Sequence, residues 1–200
     1  VGLPEAGGVL VGRLPHHPGV DIAQELDAVG TQQLGRAVGL GDPAHPQLLA
    51  LLEDTGHDLA VLTAGGDHEG HPVAVGFRSD AAGAAATVEA IVAAGGHGFA
   101  VDLDVTKQAS VEGAVASVEH ELGPVGVLVS NAGVAADGLF ARMTEERWRT
   151  VLSANLDGAF LLARRVVPAM MRARYGRIVT VSSVGAYAGA AGQANYAASK

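Results

Sequence analysis

The sequence predicts an α/β fold in which helices cover both faces of a parallel sheet. From about Leu59 onward, short β-branched runs alternate with stretches of helical periodicity. Polar N-cap residues precede the helical stretches and glycines follow them, while one strand, Val125–Val129, is apolar throughout. A continuously apolar strand is typical of a sheet buried on both faces. Alternation of strands with helices favours a doubly wound, parallel arrangement with right-handed crossovers.

Short β-branched or apolar runs define four strands after residue 70. They are predicted at Val73–Phe77, Phe99–Leu103, Val125–Val129 and Ile178–Val181. Between the first two, Asp80 is a good N-cap for a helix over Ala81–Ala93, and Gly95-Gly96 is a good stop.

Two further helices follow from periodicity and capping. Apolar residues recur at three- and four-residue intervals from Val111 to Leu122, which predicts a helix with one apolar face. Thr144 caps a long helix that runs to about Arg174, with Pro168 a candidate for a kink.

Residues 1–58 follow a different pattern. Proline and glycine are frequent, histidines cluster from His16 onward, and strands do not alternate with helices. Asp21–Ala28 and Pro46–Asp54 are candidates for short helices. We therefore expect an N-terminal segment over 1–58, of unassigned structure, and a partial α/β domain over 59–200 that is incomplete at both ends.

Composition and charge exclude several classes of function. The 200 residues carry a formal net charge of −8 and no basic block, which argues against binding to nucleic acid or to an anionic membrane. Cysteine is absent, and no apolar run approaches the ~20 residues of a membrane span, so a cytoplasmic protein is expected. His68 and His71 have no third ligand nearby in sequence, and we predict no metal site.

Three residues near the end of the chain point to acid–base chemistry. Ser183 follows a strand, and Tyr196 and Lys200 are four residues apart, so they share one face of a helix. A phenol ordinarily has a pKa near ~10, too high for proton transfer at neutral pH. An ammonium about 4 Å away, at an effective dielectric constant of about 20, favours a phenolate by about 4 kcal/mol, or about three pKa units.

The stretch from Val73 to Lys200 resembles the short-chain dehydrogenase/reductase family, and within it the 3-oxoacyl-[acyl-carrier-protein] reductases. The segments that carry the resemblance are Asp104-Val105-Thr106, Asn131-Ala132-Gly133, Asp137 to Met143, Asn155-Leu156, Gly176 to Val179 and Gly192 to Lys200. The resemblance implies a Rossmann-like, dinucleotide-binding fold.

By this resemblance, four residues form the catalytic set. Tyr196 would protonate the substrate carbonyl oxygen, and Lys200 would assist it and hold the nicotinamide ribose. Ser183 would orient the carbonyl, and Asn155 would bind a water that relays protons to Lys200. Taken alone, Asn155 could equally be an ordinary polar residue within a helix.

The resemblance also implies the cofactor contacts. Asp104 would accept a hydrogen bond from the adenine, although it could also cap the following loop, and the backbone of Val105 would contact the ring. Asn131 would fix the end of its strand, and Ala132 and Gly133 would let the cofactor approach the backbone closely, although Gly133 could also be an ordinary turn glycine. Arg78 and Ser79 follow the Val73–Phe77 strand, where a cation and a hydroxyl suit the 2′-phosphate of NADPH; a merely solvated Arg78 is the alternative.

The expected reaction is the reduction of a 3-oxoacyl thioester by NADPH. Arg172 and Arg174 are candidates for docking an acidic acyl carrier protein, but charges that complement a helix C-terminus explain them as well. Alternatives within the family are a polyketide ketoreductase and a sugar or alcohol dehydrogenase, and an alternative of another class is a non-catalytic interaction module. Relatives are usually oligomeric, so a homo-oligomer is expected.

The resemblance fails at the N-terminal side. Leu59–Thr63 is the candidate first strand, followed by Ala64-Gly65-Gly66, but the glycine-rich phosphate loop of the family is not intact. Val73 follows Thr63 after only residues 64–72, whereas a parallel crossover needs about a dozen residues or more. Because the family's later elements are also missing after Lys200, we expect the chain by itself to be inactive.

Overall fold

The computed structural model describes residues 60–64 and 72–200, and its five strands form one sheet. The strands in chain order are β1 (Ala60–Ala64), β2 (Val73–Phe77), β3 (Gly98–Asp102), β4 (Val125–Ser130) and β5 (Arg177–Thr180). Their order across the sheet is β3-β2-β1-β4-β5. All four strands predicted after residue 70 are present within one residue of the expected bounds, and the α/β class is confirmed.

Six α-helices connect or follow the strands within residues 72–200. They are α1 (Ala81–Ala93), α2 (Gln108–Leu122), α3 (Glu145–Leu152), α4 (Gly158–Ala173), α5 (Val184–Ala188) and α6 (Ala194–Ser199). The predicted caps are in place: Asp80 Oδ1 accepts a hydrogen bond of 2.8 Å from the Gly83 N–H, and Gly123 ends α2 at a φ of 86°. Thr144 caps α3 through its hydroxyl. No helix of the described part of the chain is long and apolar enough to cross a membrane.

The direction of β1 differs from the prediction of a fully parallel sheet. β2 pairs with β3 and β4 pairs with β5 in parallel, but β1 runs antiparallel to both of its neighbours, β2 and β4. The short connection over 65–72 explains this, because an antiparallel return needs only a few residues and a parallel crossover needs about a dozen. The carboxyl end of β1 therefore lies at the edge opposite the carboxyl ends of β2 to β5.

The long helix predicted from Thr144 to Arg174 is divided. A π-helical turn, Ser153–Asp157, separates α3 from α4, and the sequence analysis did not predict it. Pro168 lies within α4, which continues to Ala173. Such π turns occur frequently at functional sites, and this one contains Asn155.

The core lies between the sheet and helices α2 and α4. The predicted apolar face of α2 is buried, with Val115 and Val118 fully covered, and β4 is buried at every position. On the outer side, Arg165 of α4 bridges two glutamates of α2. Its guanidinium binds both Glu119 oxygens, at 3.2 and 2.6 Å, and a Glu112 oxygen at 3.0 Å. These contacts fix α2 beside α4 and so position the segments at the carboxyl edge of the sheet.

Candidate active site

Helix α6 carries two of the predicted catalytic side chains. Tyr196 is half-buried within the helix, and the Lys200 N–H donates to the Tyr196 carbonyl at 3.0 Å, so the two residues lie one helical turn apart as predicted. The Lys200 ammonium donates a hydrogen bond of 2.9 Å to the carbonyl of Val181, just beyond β5. Burial lowers the pKa of Lys200 from its ordinary value. The lysine is thus held at the carboxyl edge of the sheet.

Asn155, from the π turn, is tied to two separate segments of the site. Its Oδ1 accepts from the Val134 N–H at 2.7 Å, and its Nδ2 donates to the Val134 carbonyl at 3.1 Å and to the Ser199 hydroxyl at 2.8 Å. Ser199 in turn donates to the Tyr196 carbonyl at 2.8 Å. The side chain is buried, so these bonds are shielded from water. Asn155 therefore joins the segment after β4 to the helix of Tyr196 and Lys200.

Gly133 lies where Asn155 and Lys200 meet. A Cβ atom at this position would stand 3.1 Å from Asn155 Oδ1 and 3.5 Å from Lys200 Nζ. Both polar atoms therefore face the same small space beside the Gly133 backbone. Because glycine has no side chain, this position at the end of β4 does not crowd either polar atom.

Ser183 and Tyr196 both lie close to Gly185. A Cβ atom at Gly185 would lie 3.4 Å from Ser183 Oγ and 3.8 Å from Tyr196 Cδ1. Ser183 is the N-cap of α5, and its Oγ accepts from the Gly185 N–H at 3.1 Å. A hydroxyl has one donor and two acceptor positions, so this bond leaves the Ser183 proton available for a substrate oxygen.

Asn195 is a site residue to which the sequence analysis gave no role. Its side chain is fully buried, and it connects the start of α6 to the Ala136 carbonyl and to the Arg147 carbonyl of α3. No local signal distinguishes it, because the two carbonyls to which its Nδ2 donates lie more than forty residues away in sequence. In the sequence, Asn195 stands out only as the residue directly before Tyr196 in the segment from Gly192 to Lys200.

Asp104 lies just beyond β3 and organises the loop that follows. Its Oδ1 accepts from the Thr106 N–H at 3.0 Å and from the Thr106 hydroxyl at 2.6 Å, and Lys107 Nζ lies 2.9 Å from Oδ2. Burial by itself would raise the pKa of Asp104, but the hydrogen bonds from Thr106 and Lys107 outweigh it and lower the pKa to about 2. The loop-capping role considered for Asp104 is confirmed, and its Oδ2, beside a single ammonium, retains acceptor capacity.

Val105 turns its side chain into the core. It is buried, and a Cβ at Gly158 would stand within 2.7 Å of its methyl group, so the start of α4 packs directly on it. Its backbone, rather than its side chain, remains for contact with a ligand.

Asn131 and Ala132 follow β4 at the same edge of the sheet. Asn131 is only 9% exposed, and its carboxamide makes no hydrogen bond to any residue of the described segments, 60–64 and 72–200. A buried polar group without a partner is costly, and a bound polar ligand would remove that cost. Ala132 is partly buried against the core.

The predicted arginines lie at different edges of the sheet. Arg78 and Ser79 are exposed and follow the carboxyl end of β2, on the side of Asp104 and Gly133. Arg172 and Arg174 are exposed at the end of α4, immediately before β5 begins, which places them at the opposite edge. The structure does not bring this second pair to the catalytic side chains. The His68 and His71 pair lies outside the described residues.

The fold and the site together define a class of protein. A family model described as short chain dehydrogenase matches residues 61–200, and the chain belongs to this family. The strand order β3-β2-β1-β4-β5 and the placement of Tyr196 and Lys200 on one helix agree with the resemblance seen in the sequence.

Curated relatives make the similarity more specific. Over 102 residues the chain is 49% identical to the 3-oxoacyl-[acyl-carrier-protein] reductase MabA of Mycobacterium bovis, a match that covers 51% of this chain and 41% of the relative. Over 106 residues it is 43% identical to the 3-oxoacyl-[acyl-carrier-protein] reductase FabG of Escherichia coli, which covers 53% and 43%. The FabG of Salmonella typhimurium matches equally well, at 43% over 106 residues. The chain thus matches less than half of the length of these relatives.

Proposed function

We propose that the protein reduces the keto group of 3-oxoacyl thioesters with NADPH. The proposal is supported by two groups of side chains that α6 links at the carboxyl edge of the sheet. Lys200 and Asn155 face the space beside Gly133, and Ser183 and Tyr196 border Gly185. Ligands of doubly wound sheets bind at this edge. The similarity to reductases named for 3-oxoacyl substrates supports the choice of substrate.

The residues at this edge fit part of a dinucleotide. Asp104 Oδ2 offers an acceptor for the adenine, and the Val105 backbone lies beside it. The space next to Gly133 and the unpartnered carboxamide of Asn131 suit the nicotinamide half of the cofactor. β1, however, ends at the opposite edge, so we assign no residue after β1 to the pyrophosphate.

The choice of NADPH over NADH depends on Arg78 and Ser79. Both are exposed after β2, and no carboxylate takes their place. A guanidinium and a hydroxyl can bind a 2′-phosphate, whereas a carboxylate would favour the 2′-hydroxyl of NADH.

Residues of the chain would then orient the substrate carbonyl and protonate its oxygen. The bound nicotinamide supplies a hydride to the carbonyl carbon. Ser183 donates a hydrogen bond to the carbonyl oxygen and orients it, and the Tyr196 hydroxyl donates the proton that this oxygen needs. Lys200 lies behind Tyr196 on the same helix and holds the ribose.

Lys200 and Asn155 would replace the proton that Tyr196 gives up. Because burial lowers the pKa of Lys200, its ammonium releases a proton more readily than that of an exposed lysine. Asn155 Oδ1 faces the same space as Lys200 Nζ, and a water held there would connect the lysine to solvent.

A second function is favoured by one observation, the direction of β1. If the pyrophosphate has no site, the fold would serve as an interaction module without a nucleotide. The complete catalytic set argues for the enzyme, because a purely structural protein has no need for all of Ser183, Tyr196 and Lys200. We further propose a cytoplasmic homo-oligomer that takes its substrate as a thioester on an acyl carrier protein.

The two functions are separated by nucleotide binding and turnover in the complete gene product that contains this chain. We expect NADPH fluorescence to change on binding, and acetoacetyl-CoA to be reduced with a clear preference for NADPH over NADH. R78E should remove that preference. The matched control is D102N, because Asp102 is the exposed last residue of β3. Failure to bind NADPH would favour the interaction module. Turnover of sugars or secondary alcohols, but not of the thioester, would refute the proposed substrate.

A further inference from the structure

We propose that Asn195 is a positioning residue for the reduction, because its buried carboxamide fixes the helix that carries Tyr196. The inference rests on the proposed function, in which Tyr196 delivers the proton. Asn195 does not touch the reacting atoms and acts through Tyr196.

The carboxamide of Asn195 joins three segments of the chain. Its Nδ2 donates to the Ala136 carbonyl at 2.9 Å, in the segment after β4, and to the Arg147 carbonyl in α3 at 3.4 Å. Its Oδ1 accepts from the Tyr196 N–H at 2.9 Å. The residue is 0% exposed, so water cannot replace any of these bonds.

Helix α6 needs such an anchor because it is very short. It has six residues, and isolated helices shorter than about 12 residues are marginal in water, so tertiary contacts must hold it. Its N-cap residue, Gln193, makes no capping bond; its side chain donates instead to Asp137 Oδ2 at 2.9 Å. Asn195 therefore supplies an acceptor for an N–H of the first turn that has no partner within the helix.

The other end of α6 is fixed separately. Ser199 is bound by Asn155, and Ser182 Oγ donates to the Lys200 carbonyl at 2.8 Å. Tyr196 lies between these two anchors. Loss of Asn195 would free the end that lies nearer to Tyr196 while Lys200 stays in place.

The consequence for catalysis follows from the positions of Tyr196 and Ser183, which both lie close to Gly185. Both side chains border Gly185, so a small rotation of α6 would separate the proton donor from the hydroxyl that holds the carbonyl. A misplacement of about 1 Å can lower a rate about 100-fold. We expect kcat to fall while the affinity for nucleotide is kept, because Asp104 has no bond to Asn195 and Asn155 still ties the Gly133 segment to α6.

The test uses the complete gene product with NADPH and acetoacetyl-CoA. N195A should lower kcat by about 20- to 100-fold, with KM and the Kd for NADPH changed by less than about 3-fold. V118A is the structural control, because Val118 is fully buried in α2 and takes no part in the site. At a similar loss of Tm, V118A should keep kcat within about 2-fold of the wild type.

N195D gives a second readout that a merely structural role would not produce. The variant keeps the shape and the acceptor for the Tyr196 N–H but places oxygen against two carbonyls. Protonated, the new carboxyl can donate to one of them; ionised, it repels both. Its kcat deficit should therefore widen as pH rises through its ionisation, which the wild type does not show.

Three results would overturn the positioning role. They are an N195A kcat within about 2-fold of the wild type, an equal kcat loss in V118A at matched Tm, or an N195D deficit that does not vary with pH. If N195A does not fold, the pH dependence of N195D decides. Y196F separates this failure from that of the proposed function. If Y196F keeps its activity, the proposed chemistry is wrong. If Y196F loses its activity and N195A keeps it, the positioning role alone is wrong.

Discussion

Asn155 should stabilise the folded protein as well as serve the reaction, and N155A tests this. Its carboxamide makes three hydrogen bonds, two to the Val134 backbone and one to Ser199, and its side chain is 7% exposed. At about 1 kcal/mol for each net bond, the loss of unfolding free energy is about 3 kcal/mol, and the buried groups left unpaired add to this loss. For a domain of this size, that corresponds to a fall in Tm of about 6–12 °C.

The loss is measured by urea and thermal unfolding of the complete gene product, followed by circular dichroism. D157A is the matched control, since Asp157 lies in the same π turn, is exposed, and its side chain makes no hydrogen bond among the described residues. The control should stay within about 0.5 kcal/mol of the wild type. A loss below about 1 kcal/mol for N155A, or one equal to that of D157A, would refute the view that Asn155 joins the segment after β4 to α6.

Three further substitutions test other parts of the account. G133A places a Cβ 3.1 Å from Asn155 Oδ1, so it should weaken NADPH binding, measured by fluorescence titration, by about 10-fold or more. D104N should lower the free energy of unfolding, measured with urea, by about 1–2 kcal/mol at pH 7. The folded pKa of Asp104, about 2, lies below the ordinary 3.8, so the difference between variant and wild type should shrink as pH falls below about 4. R165M removes the bridge between the two α2 glutamates and should cost about 1–3 kcal/mol by urea unfolding, less at high salt.

Each of these has an outcome that contradicts it. G113A is the control for G133A, since a Cβ at Gly113 meets nothing within 4 Å; equal NADPH affinities for the two variants would refute the cofactor position. A D104N deficit that is constant between pH 7 and pH 3 would mean that the carboxylate is not the stabilising group. An R165M protein as stable as the wild type would mean that the ion pairs do not hold α2 beside α4.

The local elements of the fold could be predicted because their signals are local. Asp80, Gly123 and Thr144 each mark a helix end through a bond within three or four residues, and the structure confirms all three. The buried face of α2 follows from spacing alone, since 3.6-residue periodicity fixes which side chains share a side. The predicted proximity of Tyr196 and Lys200 has the same origin.

The features that were not predicted depend on distant residues. The connection after β1 is too short for a parallel crossover, and the sequence showed this spacing. The sequence did not show that β1 would instead pair antiparallel with both β2 and β4. The π turn brings Asn155 to Val134, and Asn195 binds Arg147, contacts separated by 21 and 48 residues. No pattern within a single helix or strand encodes such pairs.

The central claim is that the Tyr196 hydroxyl protonates a carbonyl held by Ser183. The most direct measurement is stopped-flow oxidation of NADPH at saturating acetoacetyl-CoA, comparing Y196F with the wild type in the complete gene product. The account predicts a fall in the rate of at least about 100-fold, with NADPH affinity unchanged within about 3-fold. A Y196F enzyme that retains more than about a tenth of the wild-type rate would contradict it.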